Sequence, residues 1–382
     1  MYPIPLTLYI HIPWCIRKCP YCDFNSHAAD GTLPEQAYIQ ALLDDLASEL
    51  PAIWGRSLSA IFIGGGTPSL LSAAGIDTLL SGIRALLPFR PNLEVTLEAN
   101  PGTFEQDKFT GFREAGINRL SVGIQSFNPQ HLQALGRVHD REEALRAADI
   151  AQQAGFDNFN LDLMFGLPRQ TAEQALADLQ QAIDLAPPHL SWYQLTLEPN
   201  TLFYQQPPVL PDDDALAEIQ IVGQDLISRS CYTQYEVSAY AQTGKECLHN
   251  RNYWEFGDYL GIGAGAHGKL TDPHGTVTRY RKFRQPTQYL QQMQADGQAR
   301  SREEILTPAD LQFEFMLNAL RLKQGFPAEL FTQRTGLPVP EITERLESAV
   351  SLGLLSFEQQ HIQPTDRGWL YLNDLIQLFL EE

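Results

Sequence analysis

The sequence predicts an α/β chain: an open (β/α)6 partial barrel followed by a smaller, mostly helical, winged-helix-like domain. Three observations predict it. Between Leu6 and about Leu197, six short apolar runs alternate with longer amphipathic stretches. The apolar runs are nearly continuous, as strands of a parallel sheet covered by helices are. Six such units are too few to close an eightfold barrel, and from Thr307 onward the pattern turns to helices with one hairpin-like stretch.

Taken in order, the strands are expected at Thr7–Ile12, Ala60–Ile63, Leu93–Leu97, Arg119–Ile124, Phe159–Met164 and Ser191–Leu195. The helices between them are expected at Glu35–Leu50, Ile76–Leu87, Glu105–Glu114, Arg141–Ala154 and Ala172–Leu185. At about Pro199 the composition changes. Pro207-Pro208 and the run Pro211 to Asp214 read as a linker leading into an N-capped helix that reaches Ser228. Tyr259 to Gly268 alternates small residues, which suits a strand passing close to a ligand. Read as G-x-G-x-x-G, the segment lacks the surrounding βαβ unit that a dinucleotide site needs. Helices at Ala309–Leu322, Glu329–Thr335 and Pro340–Leu352, a hairpin over Leu355–Pro364 and a last helix at Asp366–Leu380 complete the chain. Three regions result: a core over 1–200, an extension that completes it over 201–300, and a C-terminal unit over 301–382.

Composition narrows the function. The 382 residues carry a net charge of −19, whereas nucleic-acid binding needs a basic footprint. No apolar run approaches the ~18 residues that span a bilayer, and Met1-Tyr-Pro-Ile-Pro is not a secretory signal. Five cysteines, three of them clustered, do not make a disulfide framework. A reduced, cytoplasmic setting is expected. One basic run, Arg279-Tyr-Arg281-Lys282-Phe-Arg284, interrupts the acidic background. It reads either as a solvated face or as a pocket for carboxylates or anionic headgroups.

The chemistry gathers on Cys15, Cys19 and Cys22, spaced C-x3-C-x2-C in a loop bounded by Pro13 and Pro20. Three thiolates can hold three irons of a [4Fe–4S] cluster and leave the fourth open to a chelating ligand. The amino and carboxylate groups of S-adenosylmethionine form such a chelate, and an electron from the cluster can cleave its sulfonium. A Cys3His zinc site with His11 or His27 is the alternative on spacing. Glycines in Gly64-Gly65-Gly66-Thr67-Pro68, after the second strand, let backbone approach a ligand closely. Glu98 ends the third strand, Gln125 the fourth, and Asp162 lies on the fifth. His249, with Tyr253 and Trp254 in H-N-x-x-Y-W, could coordinate haem iron beside aromatic cover, or be a buried histidine bonded to backbone. Cys247 is a further soft ligand candidate.

The run Y-I-H-I-P-W-C-x3-C-x-Y-C, followed by G-G-G-T-P, resembles the radical S-adenosylmethionine superfamily. Within it, the chain resembles the branch of oxygen-independent coproporphyrinogen dehydrogenases and their haem-chaperone relatives of the HemW type. The resemblance covers nearly the whole chain. It implies a partial TIM-like (β/α)6 barrel and a [4Fe–4S] cluster on Cys15, Cys19 and Cys22. It also implies S-adenosylmethionine against Tyr9, Tyr21, Gly65, Gly66, Thr67 and Glu98. Gln125, Asp162 and Arg137 match dehydrogenase positions that contact a second S-adenosylmethionine. The glycine-rich stretch Tyr259 to Gly268 is expected near the cofactor's adenine. No catalytic residue is assigned. The dehydrogenases usually carry a further cysteine where this chain has Phe24, a departure that favours the chaperone group. The expectation is therefore haem as cargo, bound near His249, Tyr253 and Trp254 and passed to acceptors such as membrane-bound cytochromes. The chain is expected as a monomer or homodimer, cytoplasmic and peripheral to the inner membrane. Coproporphyrinogen III dehydrogenation is the alternative, and a radical methyltransferase or haem-degrading activity is a third.

Overall fold

The computed structural model describes residues 4–29, 31–102 and 108–380. Leu6–Ile12 (β1), Leu58–Gly65 (β2), Phe89–Ala99 (β3), Arg119–Gln125 (β4), Phe159–Phe165 (β5) and His189–Gln194 (β6) lie side by side, all parallel. These are the six strands expected from the sequence, several of them longer by a few residues. Along β1 the side chains alternate. Leu6, Leu8, Ile10 and Ile12 join the helix-side core, while Thr7, Tyr9 and His11 take the opposite, concave face. That division puts polar chemistry inside the partial barrel.

The sheet does not end at six strands. Thr233–Gln234 (β7), Ala239–Ala241 (β8), Asp258–Ile262 (β9), His267–Thr271 (β10), Val277–Lys282 (β11) and Arg300–Ile305 (β12) extend it. The spatial order is β12-β11-β10-β9-β1-β2-β3-β4-β5-β6-β8-β7. β9 pairs parallel with β1, and the other additions pair antiparallel with their neighbours. The stretch Tyr259 to Gly268 is thus a strand, a turn and the start of another strand, not one strand. Gly263 (φ +99°) and Gly265 (φ +81°) adopt the left-handed conformations that the turn requires.

The covering helices follow their sequence signals. Arg141–Gln153 begins with a capping box from Asp140 and Glu143, and buries a stripe of Ala144, Ala147, Ala148 and Ala151. Ala172–Asp184 begins with a second capping box from Thr171 and Gln174. The helix expected from Glu105 is seen as Phe109–Ala115, its first expected residues lying outside the described ones, and Gly116 at φ +113° closes it.

A second apolar core sits beyond Leu306, centred on Phe315, whose ring meets Phe256, Phe326 and Phe331 at 5.8, 5.3 and 5.3 Å. Helices Pro308–Ala319, Ala328–Thr335 and Thr343–Ser351 and the hairpin Leu355–Glu358/His361–Pro364 form it. Two expectations change here. The third helix starts as a 3-10 turn over Val339–Ile342. The last helix breaks at Tyr371 (φ −108°, ψ 43°), so that Leu375, Ile376 and Phe379 turn into the core while Leu370 stays exposed. Among the described residues, no helix is long and apolar enough to cross a membrane.

Candidate functional site

Two cavities open on the concave face of the sheet and share a wall at Gly65 and Glu98. The first, of about 480 Å³, is lined by Cys15, Cys19 and Cys22 together with Tyr21, Gly65, Gly66, Thr67, Glu98, Gln125, Arg137 and Asp162. The structure therefore gathers almost every residue expected to hold the cluster and its chelating ligand. Tyr9 is the exception, because it faces the second cavity.

The cysteine loop is fixed by backbone. Trp14–Cys15 pairs with His27–Ala28, and the Gly66 and Thr67 N–H groups donate to Ile12 and Trp14 carbonyls at 2.7 Å each. Gly66 is glycine for that reason as well as for any ligand, since a Cβ there would lie 2.5 Å from the Trp14 carbonyl oxygen. Gly65 (φ +113°) lies over the His11 ring, 2.6 Å from where its Cβ would be. His11 is also spoken for: its ring nitrogens share hydrogen bonds with the Tyr9 hydroxyl (2.9 Å) and the Asn25 carbonyl (2.8 Å). It is not available as a zinc ligand. All three loop cysteines are free and half-buried, and burial pushes the Cys15 and Cys22 thiols up. Among the described residues no three His, Cys, Asp or Glu side chains converge on a single ion position. Three sulfur donors line one cavity, the donor type that iron–sulfur clusters take.

The rest of the first cavity is electrostatically asymmetric. The Gly65 N–H donates to Glu98 Oε2 at 3.0 Å, yet burial, with Asp162 nearby, pushes the Glu98 carboxyl up to about 8. Burial likewise raises Asp162, which accepts from Ser121 (3.1 Å) and Asn160 (2.8 Å). Two desolvated carboxyls favour a cationic ligand between them. Opposite, the Arg137 guanidinium donates to Asn100 (2.6 Å), to the Gly123 carbonyl (2.7 Å) and to Cys19 Sγ (3.7 Å), while its Nε has no partner among the described residues. Gln125 sits at φ +69° beside a register shift in β4, and its Oε1 accepts from the Tyr193 hydroxyl at 2.9 Å. Holding a non-glycine residue there costs about 1 kcal/mol, and it turns the side chain into the cavity.

The second cavity, of about 660 Å³, is lined by Tyr9, His11, His249, Tyr253 and Tyr259 and by His267, Arg279, Arg281 and Arg284. Gly265 and Gly268 also line it, so the glycine-rich stretch borders this cavity and not the one expected to hold the nucleoside. His249 lies on a short helix, Leu248–Trp254, whose first N–H groups donate to Glu94 Oε1 on β3, 3.0 Å from Leu248 and 3.3 Å from His249. The His249 ring packs on Phe62 and Tyr9, with centroids 5.1 and 6.3 Å away. It makes no hydrogen bond among the described residues, and its Nδ1 is buried. Burial, with Arg119 behind it, lowers the imidazole to about 4. It is therefore a neutral, uncommitted donor at physiological pH.

Two expected partners of His249 are elsewhere. Trp254 packs under the Arg321 guanidinium, 5.3 Å from its ring centroid, and does not line the cavity. Only Tyr253 of the two aromatics does, wedged against Tyr259 at 5.2 Å. Cys247 is fully buried, its thiol donating to Glu94 at 3.5 Å, so it is no soft ligand for a group in either cavity. Glu94 and Asn25 escape the sequence reading as site residues, and His11 enters it only as a zinc-ligand candidate. Asn25 donates to the Ala264 and Arg284 carbonyls, both at 2.9 Å, which ties the cysteine loop to the floor of the second cavity. For His11 a signal was present: polar Thr7, Tyr9 and His11 alternate with apolar residues, the mark of a concave face.

Comparison with known proteins identifies the family and the fold. The radical SAM superfamily matches residues 9–182, and the HemN C-terminal domain matches residues 306–371. The chain is 52% identical over 378 residues to "Heme chaperone HemW" of Escherichia coli strain K12, covering 99% of each chain. It is 51% identical over 382 residues to the protein of the same name from Haemophilus influenzae, covering 99% of this chain and 98% of that one. A solved structure of coproporphyrinogen III oxidase (HemN) from Escherichia coli, described as a radical SAM enzyme, superposes with a TM-score of 0.83 at 26% identity. It covers 98% of this chain and 90% of its own.

Proposed function

The chain belongs to the radical SAM superfamily and, within it, to the family of the heme chaperones HemW, and from that premise we propose that it is a haem-trafficking chaperone. Cys15, Cys19 and Cys22 would hold a [4Fe–4S] cluster in the first cavity, with S-adenosylmethionine between Gly65, Gly66, Thr67 and Glu98. When bound, that pair supplies one-electron chemistry at the sulfonium. The chain's own part is to orient and to exclude. Thr67 and the glycines bring backbone up to the ligand, the Glu98 and Asp162 carboxyls favour its positive charge, and Arg137 faces Cys19.

Haem would sit in the second cavity with His249 toward the iron and Tyr9, Tyr253 and Tyr259 as apolar cover. The observation that carries this reading is the buried, neutral His249 imidazole, without a hydrogen bond among the described residues, in a cavity of about 660 Å³. Acceptors would be haem proteins such as membrane-bound respiratory cytochromes, reached from the cytoplasmic side by peripheral association, with the chaperone a monomer or homodimer. The test is haem titration of the anaerobically reconstituted protein. His249→Ala should shift the Soret band and weaken binding by roughly tenfold or more. Stoichiometric binding indifferent to His249→Ala would move the cargo elsewhere.

The HemN likeness supports a second reading, oxygen-independent coproporphyrinogen III dehydrogenation. Phe24, 57% exposed where the dehydrogenases usually have cysteine, lines both cavities and weighs against it. Steady conversion of coproporphyrinogen III with S-adenosylmethionine and reductant, on the same sample, would overturn the chaperone reading.

A further inference from the structure

The second cavity has a direction. Register alignment runs a row of residues across four adjacent strands: Tyr9 on β1 lies opposite Gly261 on β9, Gly261 abuts His267 on β10, and His267 lies opposite Arg281 on β11. Three strand spacings of about 4.8 Å make that floor ~14 Å long. Gly261 adds no side chain to the row, and His267 stands between it and Arg281 in the cavity lining. The inner end holds His249 against Phe62 and Tyr9. Tyr253, Tyr259 and Glu98 line the same cavity; the cations that act electrostatically here are Arg119, which acts on His249 from outside the lining, and Arg279, which acts on Tyr259 and is itself paired with Glu314.

The outer end is the reverse. Arg281 and Arg284 are exposed, line the cavity and make no ion pair among the described residues. Arg279 is already held by Glu314 at 3.0 Å, and Lys282 is buried between Asp45 and Glu49 on the far face. So of the basic run, two guanidiniums are left for a ligand. Asn25 fixes Arg284 further by donating to its carbonyl.

A planar ligand whose metal faces His249 would place one edge at these arginines and its remaining edges among tyrosines and Glu98. Carboxylates on that one edge meet guanidiniums that can bind them bidentately. Carboxylates elsewhere on the ring would be desolvated without a partner. We propose that Arg281 and Arg284 form a one-edge carboxylate clamp that selects a tetrapyrrole with two neighbouring propionates over one with four distributed around the ring. This rests on the haem reading of the second cavity and adds its orientation and selectivity.

The test uses the reconstituted full chain and three probes: iron protoporphyrin IX, its dimethyl ester and iron coproporphyrin III. The wild type should bind the diacid roughly tenfold or more tightly than either of the others. Arg281→Ala/Arg284→Ala should erase that preference while leaving the Soret position of the bound diacid unchanged, because His249 is untouched. Equal affinity for the diacid and its ester in the wild type would sink the clamp, and that comparison needs no variant. So would a double variant that keeps the preference. Diacid binding that depends on His249 and ignores both arginines would overturn the clamp alone; no binding of any probe would overturn the haem reading with it.

Discussion

The two cavities lie back to back on Gly65 and Glu98 and are built in opposite ways. The first draws its thiols from eight consecutive positions, Cys15 to Cys22, and the rest of its wall from the ends of successive parallel strands. The second joins β1 to strands some 250 residues later, through the parallel pairing of β1 with β9. Their electrostatics differ as well. The first combines soft sulfur donors with raised carboxyls and suits a cationic ligand; the second combines a neutral imidazole with free guanidiniums and suits an anionic one. Proteins that place two ligands so close can separate them by charge type as well as by a physical wall.

The largest expected effect separates the cavities outright. Replacing any of Cys15, Cys19 or Cys22 by Ser should take iron in the reconstituted protein from about four per chain to none, with loss of the absorbance near roughly 400 nm. Haem binding at His249 should persist. Cys231→Ser, at an exposed position outside both cavities, should change neither. Iron retained in the loop variants would remove the cluster from this site, and zinc without iron in the wild type would remove the cluster altogether.

Next is the glycine turn of the first cavity. Gly66→Ala puts a Cβ 2.5 Å from the Trp14 carbonyl oxygen, so it should destabilise the chain by about 1–3 kcal/mol and displace the cysteine loop. Thermal unfolding and S-adenosylmethionine calorimetry should both register it. Calorimetric weakening with an unchanged melting temperature would show that Gly66 serves the ligand alone.

Glu98 sharpens the electrostatic half of the comparison through pH. Its folded value of about 8 lies above the ordinary carboxyl value of 4.5, so between those limits the folded state binds more protons than the unfolded one. Stability from this group is complete below about 4.5 and is lost as pH rises through about 8. Glu98→Gln should flatten that slope in pH-dependent unfolding of the ligand-free chain. A cationic ligand should lower the value and release protons on binding, seen as a buffer-dependent heat. A ligand-free slope that survives Glu98→Gln would assign the titration to Asp162 or another neighbour.

The smallest effect is a control in neither cavity. Asp140→Ala removes the capping box of helix Arg141–Gln153 and should cost about 1 kcal/mol in unfolding. Iron content, S-adenosylmethionine affinity and haem affinity should all stay level. A change in one of them would mean that this helix communicates with the site.

Legibility divides along the same line as the cavities. Cys15, Cys19, Cys22 and the Gly64–Pro68 turn could be read because a few residues of loop confine them to one place whatever the rest does. Helix starts such as Asp140 and Thr171 could be read because a cap is closed by groups three residues apart. By contrast, Trp254 looked like a partner of His249 because it is near in sequence. On a helix of one residue per 100°, residues five apart leave in different directions, and Trp254 goes to Arg321. Tyr9 looked like part of the cofactor motif, but alternation along β1 and its bond to His11 turn it toward the other cavity.

By itself, then, the amino-acid order determined the (β/α) repeat, the caps, the three-thiol loop and the glycine turn behind it. Each of these is settled by contacts within a few residues or by a hydrophobic period. Only the tertiary structure decided that β9 lies against β1, that Asn25 reaches Ala264 and Arg284, and that His249 and Arg281 stand at opposite ends of one floor. Those pairings depend on which sheet edge remains open once six strands have paired. That is a property of the assembled sheet, where backbone hydrogen bonds left unmade at the edge of β1 are satisfied by β9.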